Sequence, residues 1–251
     1  MNTFKKKSLH AAVLAGLGAI GAVGTAEAVH INPDGQGQVL IYPYYTSRAS
    51  QFTAISLVNT TSQFKAVKVR FLEGKNSREV LDFNLFLSPF DVWTGGVAES
   101  AAGTGGRVVS GDNSCVTPSD LFAESRSDNG QLINSFKNYA YTGANVDVAA
   151  LNSLDRTREG YFEVIEMGVV TTAALQGFIK HGTNGVPANC PALDAFDPGA
   201  LVAPASGFFS NTNHLTIPTG GLAGRASIIN AATGVNYTYE PTAVDQWTNA
   251  V

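Results

Sequence analysis

The chain has 251 residues and a net charge of −4, with 20 acidic against 16 basic side chains and only 14% of residues charged. An acidic chain without a basic run lacks the phosphate-neutralising surface that nucleic-acid binding needs, which excludes a nucleic-acid partner. The two cysteines, Cys115 and Cys190, have neither the Cys-x-x-Cys spacing of a redox pair nor the nearby Cys or His that a zinc site would use.

Lys5, Lys6 and Lys7 precede an uncharged stretch of small and apolar residues over 9–25, and Ala26-Glu27-Ala28 follows it. A basic start, a short apolar run and a small-x-small end are the three parts of a secretory signal peptide, so residues 1–28 read as a leader cleaved between Ala28 and Val29. The run is short and rich in Gly and Ala compared with a membrane span of ~20 strongly apolar residues. No later segment is apolar enough for a transmembrane helix. Cleavage removes three lysines and one glutamate, which takes the charge from −4 to −6, and removing 28 of 251 residues leaves 223. That length suits a single domain over 29–251. Export places Cys115 and Cys190 in an oxidising compartment, where an even pair reads as one disulfide.

Strand signals begin at 39–45, which is β-branched and aromatic, with Pro43 predicting an edge strand or a bulge. Residues 52–58 alternate, and 66–72 do so cleanly, with Val67, Val69 and Phe71 on one face and Lys68, Arg70 and Leu72 on the other. After the turn at 73–77, residues 79–87 set Leu81, Phe83, Leu85 and Leu87 against Asp82, Asn84 and Phe86. Ser88-Pro89 ends that strand and a short one is expected over 90–94. The Gly-, Ala- and Thr-rich tract 95–106 reads as a linker or surface loop.

Short helices are expected near 118–122, 145–154 and 171–180, around a confident strand at 160–170. Residues 182–206 read as a long surface loop tied back by Cys190. Strands return at 215–217, 224–229 and 235–239, the last two joined by a hairpin-length turn containing Gly234. Short strands, Gly/Asn turns, few helices and one disulfide predict an all-β antiparallel sandwich, Ig-like or jelly-roll-like. Loop-rich insertions fall around 95–155 and 181–210, and a closed barrel is the alternative.

Val58-Asn59-Thr60-Thr61, the run 66–74, the run 77–84, Leu87-Ser88-Pro89 and Asp91-Val92-Trp93-Thr94 together resemble a block found in uncharacterised exported proteins of Gram-negative bacteria. The resemblance covers under a fifth of the chain. It implies an envelope or surface protein with no assigned activity, placed in the periplasm, at the cell surface or in the medium.

Chemistry-bearing motifs are sparse. A Gly-x-Ser-x-Gly elbow, His-Glu-x-x-His, a phosphate loop and a dinucleotide fingerprint are all missing from the sequence. His30, His181 and His214 are far apart, and scattered histidines explain them better than a three-His metal site. His30 is the second residue after cleavage at Ala28, one place too far for an N-terminal histidine copper site. Asp128-Asn129-Gly130 and Asn145-Val146-Asp147 are fragments of a calcium loop without the rest of its ligand array. Glu163 and Glu166 are an odd offset apart, which puts them on opposite faces of a strand and disfavours paired-carboxylate glycoside chemistry. Tyr42, Tyr44, Tyr45, Phe90, Trp93, Tyr237, Tyr239 and Trp247 are candidates for a sugar-stacking platform, though aromatics in a sandwich mostly pack the core.

The sequence therefore points to a non-enzymatic structural or adhesive protein of the envelope or surface, with no cofactor and with an envelope protein, a glycan or its own kind as partner. The alternative is a secreted carbohydrate-binding or metal-dependent sandwich.

Overall fold

The computed structural model describes residues 28–121, 132–148, 151–196 and 214–247. The segment expected as a leader, apart from Ala28, lies outside the described residues, as does Asp128-Asn129-Gly130. The rest is an antiparallel sandwich of two packed sheets.

The first sheet contains β1 (His30–Ile31), β14 (Thr242–Asp245), β2 (Val39–Thr46), β10 (Glu159–Val170), β4 (Lys65–Glu73), β5 (Glu79–Leu87) and β8 (Cys115–Thr117) in that order, with β11 (Leu215–Thr216) on the far end of β10. The second runs β13 (Val235–Tyr239), β12 (Leu222–Asn230), β3 (Gln51–Asn59), β6 (Val92–Glu99), β7 (Gly106–Ser110) and β9 (Leu132–Ser135).

Alternation decides which side chains meet between the sheets. Val67, Val69 and Phe71 of β4 and Phe83, Leu85 and Leu87 of β5 all enter the main core, and Phe162 and Val164 of β10 lie among them. Tyr42 stacks on Phe162 with ring centroids 4.1 Å apart, and Phe162 lies 5.1 Å from Phe71. Phe71 and Tyr45 both contact Phe136, at 5.2 and 5.6 Å.

Pro43 marks a bulge in an interior strand rather than an edge. Tyr45 pairs with Gly160 and Tyr42 with Phe162, so β2 spends one residue more than β10 over that interval. The extra residue resets the phase and lets Tyr42 and Tyr45, three apart, both point into the core while Pro43 and Tyr44 stay outside.

The tract 95–106 is a surface loop only over 100–105 and is not a linker: β6 continues through Gly95 and Gly96 to Glu99 and pairs with β7 from Gly106. The glycines make room for rings: a Cβ on Gly95 would sit 2.4 Å from the Trp93 side chain, and one on Gly96 2.2 Å from Phe52. No helix forms over 118–121, residue 122 lying outside the described chain, and the described residues of 145–154, which leave out 149 and 150, yield only the end of a 3-10 turn, Gly143–Asn145, and the start of another, Leu154–Arg158. The helix expected at 171–180 is present as α1 (Ala173–Ile179).

α1 and the 3-10 turn Cys190–Ala195 cover part of the outer face of the first sheet, where a second, smaller core gathers Ala66, Phe86, Val170, Leu175, Ile179 and Leu193. This explains Phe86, an apolar residue on the face opposite Phe83 and Leu85. Ala66, Phe86 and Cys115 form one cross-strand row beneath the cap. The cap is stapled there by the Cys115–Cys190 disulfide, with S–S 2.06 Å and Cα–Cα 5.1 Å.

Candidate functional site

The cap and the sheet leave a cleft of about 540 Å³ between α1 and the corner that joins β5 to β6. Its apolar wall is Phe64, Pro89, Ala173 and Gly177, and its polar wall is Ser88, Gln176, Lys180 and His181. The corner itself is a tight turn: the Asp91 N–H donates to the Ser88 carbonyl at 3.2 Å, Pro89 takes the second position, and Phe90 the third with φ +57°. Glycine is the usual residue at a left-handed third position. Phe90 occupies it with 66% of its surface exposed.

Within the corner the Asp91 carboxylate accepts three hydrogen bonds. Its Oδ2 accepts the Ser88 N–H and the Ser88 hydroxyl, each at 2.9 Å, and its Oδ1 accepts the Val92 N–H at 2.9 Å. His181 reaches the same pair from the cap side, with Nδ1 2.6 Å from Ser88 Oγ and 3.5 Å from Asp91 Oδ2. With its hydroxyl proton given to Asp91, Ser88 Oγ accepts, so Nδ1 carries the proton of this contact. Ser, His and Asp thus stand together, but in the wrong wiring for nucleophilic catalysis. An activated serine gives its proton to one ring nitrogen while the carboxylate holds the other. Here both oxygens converge on Nδ1, and Ser88 is locked as a structural bridge between the corner and the cap.

The other histidines lie elsewhere. His30 is exposed on β1, its Nδ1 3.2 Å from the Ala28 carbonyl oxygen. His214 has its Nδ1 2.8 Å from Thr172 Oγ1 and its ring edge-on to Phe196. Among the described residues no group of three or more His, Cys, Asp or Glu side chains is placed to hold a metal ion.

Glu163 and Glu166 do lie on opposite faces. Glu163 meets Arg70 on the outside at 3.2 Å. Glu166 follows Phe162 and Val164 on the inward phase and is fully buried against Lys65, with Nζ–Oε1 2.7 Å. The Lys65 ammonium also donates to Thr219 Oγ1 at 2.8 Å and the Gly220 carbonyl at 2.6 Å, while Glu166 accepts the N–H groups of Thr219 and Gly220. This clasp fixes the segment leading into β12.

Asp147, one of the calcium-loop fragments, is a partner of Arg156 instead. Arg156 is 4% exposed and lies between two carboxylates, forking onto Glu73 at 2.7 and 2.9 Å and onto Asp147 at 2.7 Å through both terminal nitrogens. Burial pushes the Glu73 carboxyl up, but Arg156 and the N–H groups of Arg78, Lys75 and Asn76 outweigh it and hold the group below its ordinary value. The Arg156 and Asn76 hydrogen bonds hold the Asp147 carboxyl far below its ordinary value. The guanidinium also lies 4.4 Å over the Tyr141 ring.

The proposed stacking aromatics divide. Tyr42, Tyr45 and Trp93 are core, whereas Tyr44, Phe90, Tyr237 and Trp247 are 40–66% exposed. Tyr239 donates its hydroxyl to the Tyr44 carbonyl, joining the bulge of β2 to β13. Sequence reasoning passed over Tyr139, which is 73% exposed beside a second hollow of about 250 Å³ that also takes in Glu79, Asp82 and Lys137. Among the described residues no helix is long and apolar enough to cross a membrane.

Compared with models of known protein families, with curated proteins and with solved structures, the chain matches none.

Proposed function

We propose that this chain is an exported, non-enzymatic structural or adhesive protein of the bacterial envelope or surface, and that it holds a second copy of itself through β13. The leader, the disulfide and the resemblance of the block 58–94 support export. The observation that carries the adhesive reading is the edge of the second sheet. Among the described residues β13, Val-Asn-Tyr-Thr-Tyr, pairs on one side only, with β12, and four of its five residues are exposed.

Edge strands invite pairing unless shortened, charged, bulged or interrupted by proline. β1, β8 and β9 are shorter edges of two, three and four residues. β13 has five, holds its register against β12 throughout, and contains neither charge nor proline. Antiparallel pairing of two copies centred on Tyr237 would place Val235 opposite Tyr239 and Asn236 opposite Thr238, with no like charges facing. Arg225 and Glu240 at its flank already neutralise each other at 3.0 Å.

The test is sedimentation velocity over a concentration series, together with cell fractionation. A concentration-dependent dimer that Thr238→Lys converts to monomer at unchanged Tm, from a protein found in the envelope or medium, is the expected result. A monomer at every concentration, or residence in the cytosol, would overturn the proposal.

A further inference from the structure

We propose that the cleft between α1 and the β5–β6 corner binds a free amphiphilic anion, a single carboxylate or similar head on an aliphatic body. This goes beyond the adhesive reading and does not rest on it.

Gly177 carries much of the argument. It lies in the interior of a seven-residue helix, where glycine is less favourable than alanine by about 0.8–1 kcal/mol. Its φ is not left-handed, and a Cβ built on it would meet no atom within 4 Å. Neither backbone conformation nor close packing calls for glycine there. What its hydrogen does is leave the cleft open. Ala173, one turn earlier on the same face, keeps the adjoining stretch of wall low as well. Facing them are the Phe64 side chain and Pro89, so the body of the cleft is apolar.

The other end is cationic. Lys180 directly follows α1, lines the cleft and makes no ion pair among the described residues. His181 lines it beside Lys180, but with Nδ1 donating to Ser88 the Nε2 of its neutral ring is an acceptor, so the positive charge of this end is that of Lys180. The carboxylate beside His181, Asp91, is 13% exposed and accepts the Ser88 and Val92 N–H groups and the Ser88 hydroxyl. An anion at this end therefore meets the Lys180 ammonium, while an aliphatic chain covers Phe64, Pro89 and the low wall of α1. One lysine suits one negative charge, not the run of charges on a nucleic acid. The volume of about 540 Å³ lies within the range of small-molecule pockets.

Isothermal titration of the purified, disulfide-bonded protein with decanoate tests this. The expected result is saturable one-site binding, about tenfold weaker for decanol and for Lys180→Gln. Gly177→Leu places a side chain in the open space and removes a helix-interior glycine, so it should abolish binding while Tm holds or rises. That variant separates a filled cleft from a damaged fold. The proposal is overturned if decanoate fails to bind, if decanol binds equally, or if Gly177→Leu binds as well as the parent. Vesicles of phosphatidylglycerol that capture the protein while decanoate does not would also overturn it, in favour of a membrane surface.

Discussion

Lys65→Met is the perturbation with the best-defined cost. Lys65 and Glu166 are 101 residues apart and both side chains have 0% exposure. Three acceptors take the ammonium: Glu166 Oε1, Thr219 Oγ1 and the Gly220 carbonyl. Methionine fills much of the same space but leaves the Glu166 carboxylate buried with only the Thr219 and Gly220 N–H groups. Removing one partner of a buried pair costs about 3–5 kcal/mol, most of it the uncompensated charge. For a domain of this size each kcal/mol moves Tm by about 2–4 °C, so the expected fall is about 6–20 °C. Thermal melts followed by circular dichroism provide the reading, and Glu166→Gln completes a double-mutant cycle. The double variant should cost less than the two single losses together, by about 0.5–3 kcal/mol. A Tm change under about 3 °C, or strict additivity within about 0.5 kcal/mol, would refute the clasp.

Three further predictions address other parts of the fold. Glu73 and Asp147 both titrate lower in the folded chain than their ordinary values of 4.5 and 3.8, so the unfolded chain binds more protons as pH falls. Their contribution is full above the ordinary carboxylate range and is lost as pH drops through the depressed folded values. Arg156→Met should therefore flatten the acid limb of a Tm-against-pH curve as well as lower its plateau; an unchanged limb would deny the network. Reducing the Cys115–Cys190 bridge, which spans 75 residues, should cost at most about 4–5 kcal/mol and open the cap first, read as early proteolytic cutting near 182–189. Gly224→Ala would put a Cβ 1.9 Å from the Tyr42 hydroxyl oxygen and 2.5 Å from the Ser56 carbonyl, so urea unfolding should show a loss of about 1–3 kcal/mol.

The sandwich was legible in β4 and β5 because period-two alternation is local, and each strand carries its own record of which face is buried. β6 was legible only at its start, in the short strand expected over 90–94, and β7 was not, since the glycines that make room for Trp93 and Phe52 look like loop residues until those rings are seen across them. Pro43 signalled an irregularity correctly, but whether it meant an edge or a bulge depends on the neighbours of β2, which the sequence does not list. The inward phase of Glu166 was readable from Phe162 and Val164, whereas its partner Lys65 lies 101 residues away. The cleft was illegible for the same reason. Ser88 and His181 are 93 residues apart, brought together only when the disulfide-stapled cap folds over the outer face of the first sheet.

The account turns on export, and the intact mass of the protein recovered from fractionated cells tests it most directly. The expected species is found in the envelope or medium, begins at Val29, and is lighter than its reduced form by the two hydrogens lost in joining Cys115 to Cys190. A chain still carrying Lys5, Lys6 and Lys7, recovered from the cytosol with both thiols free, would contradict it.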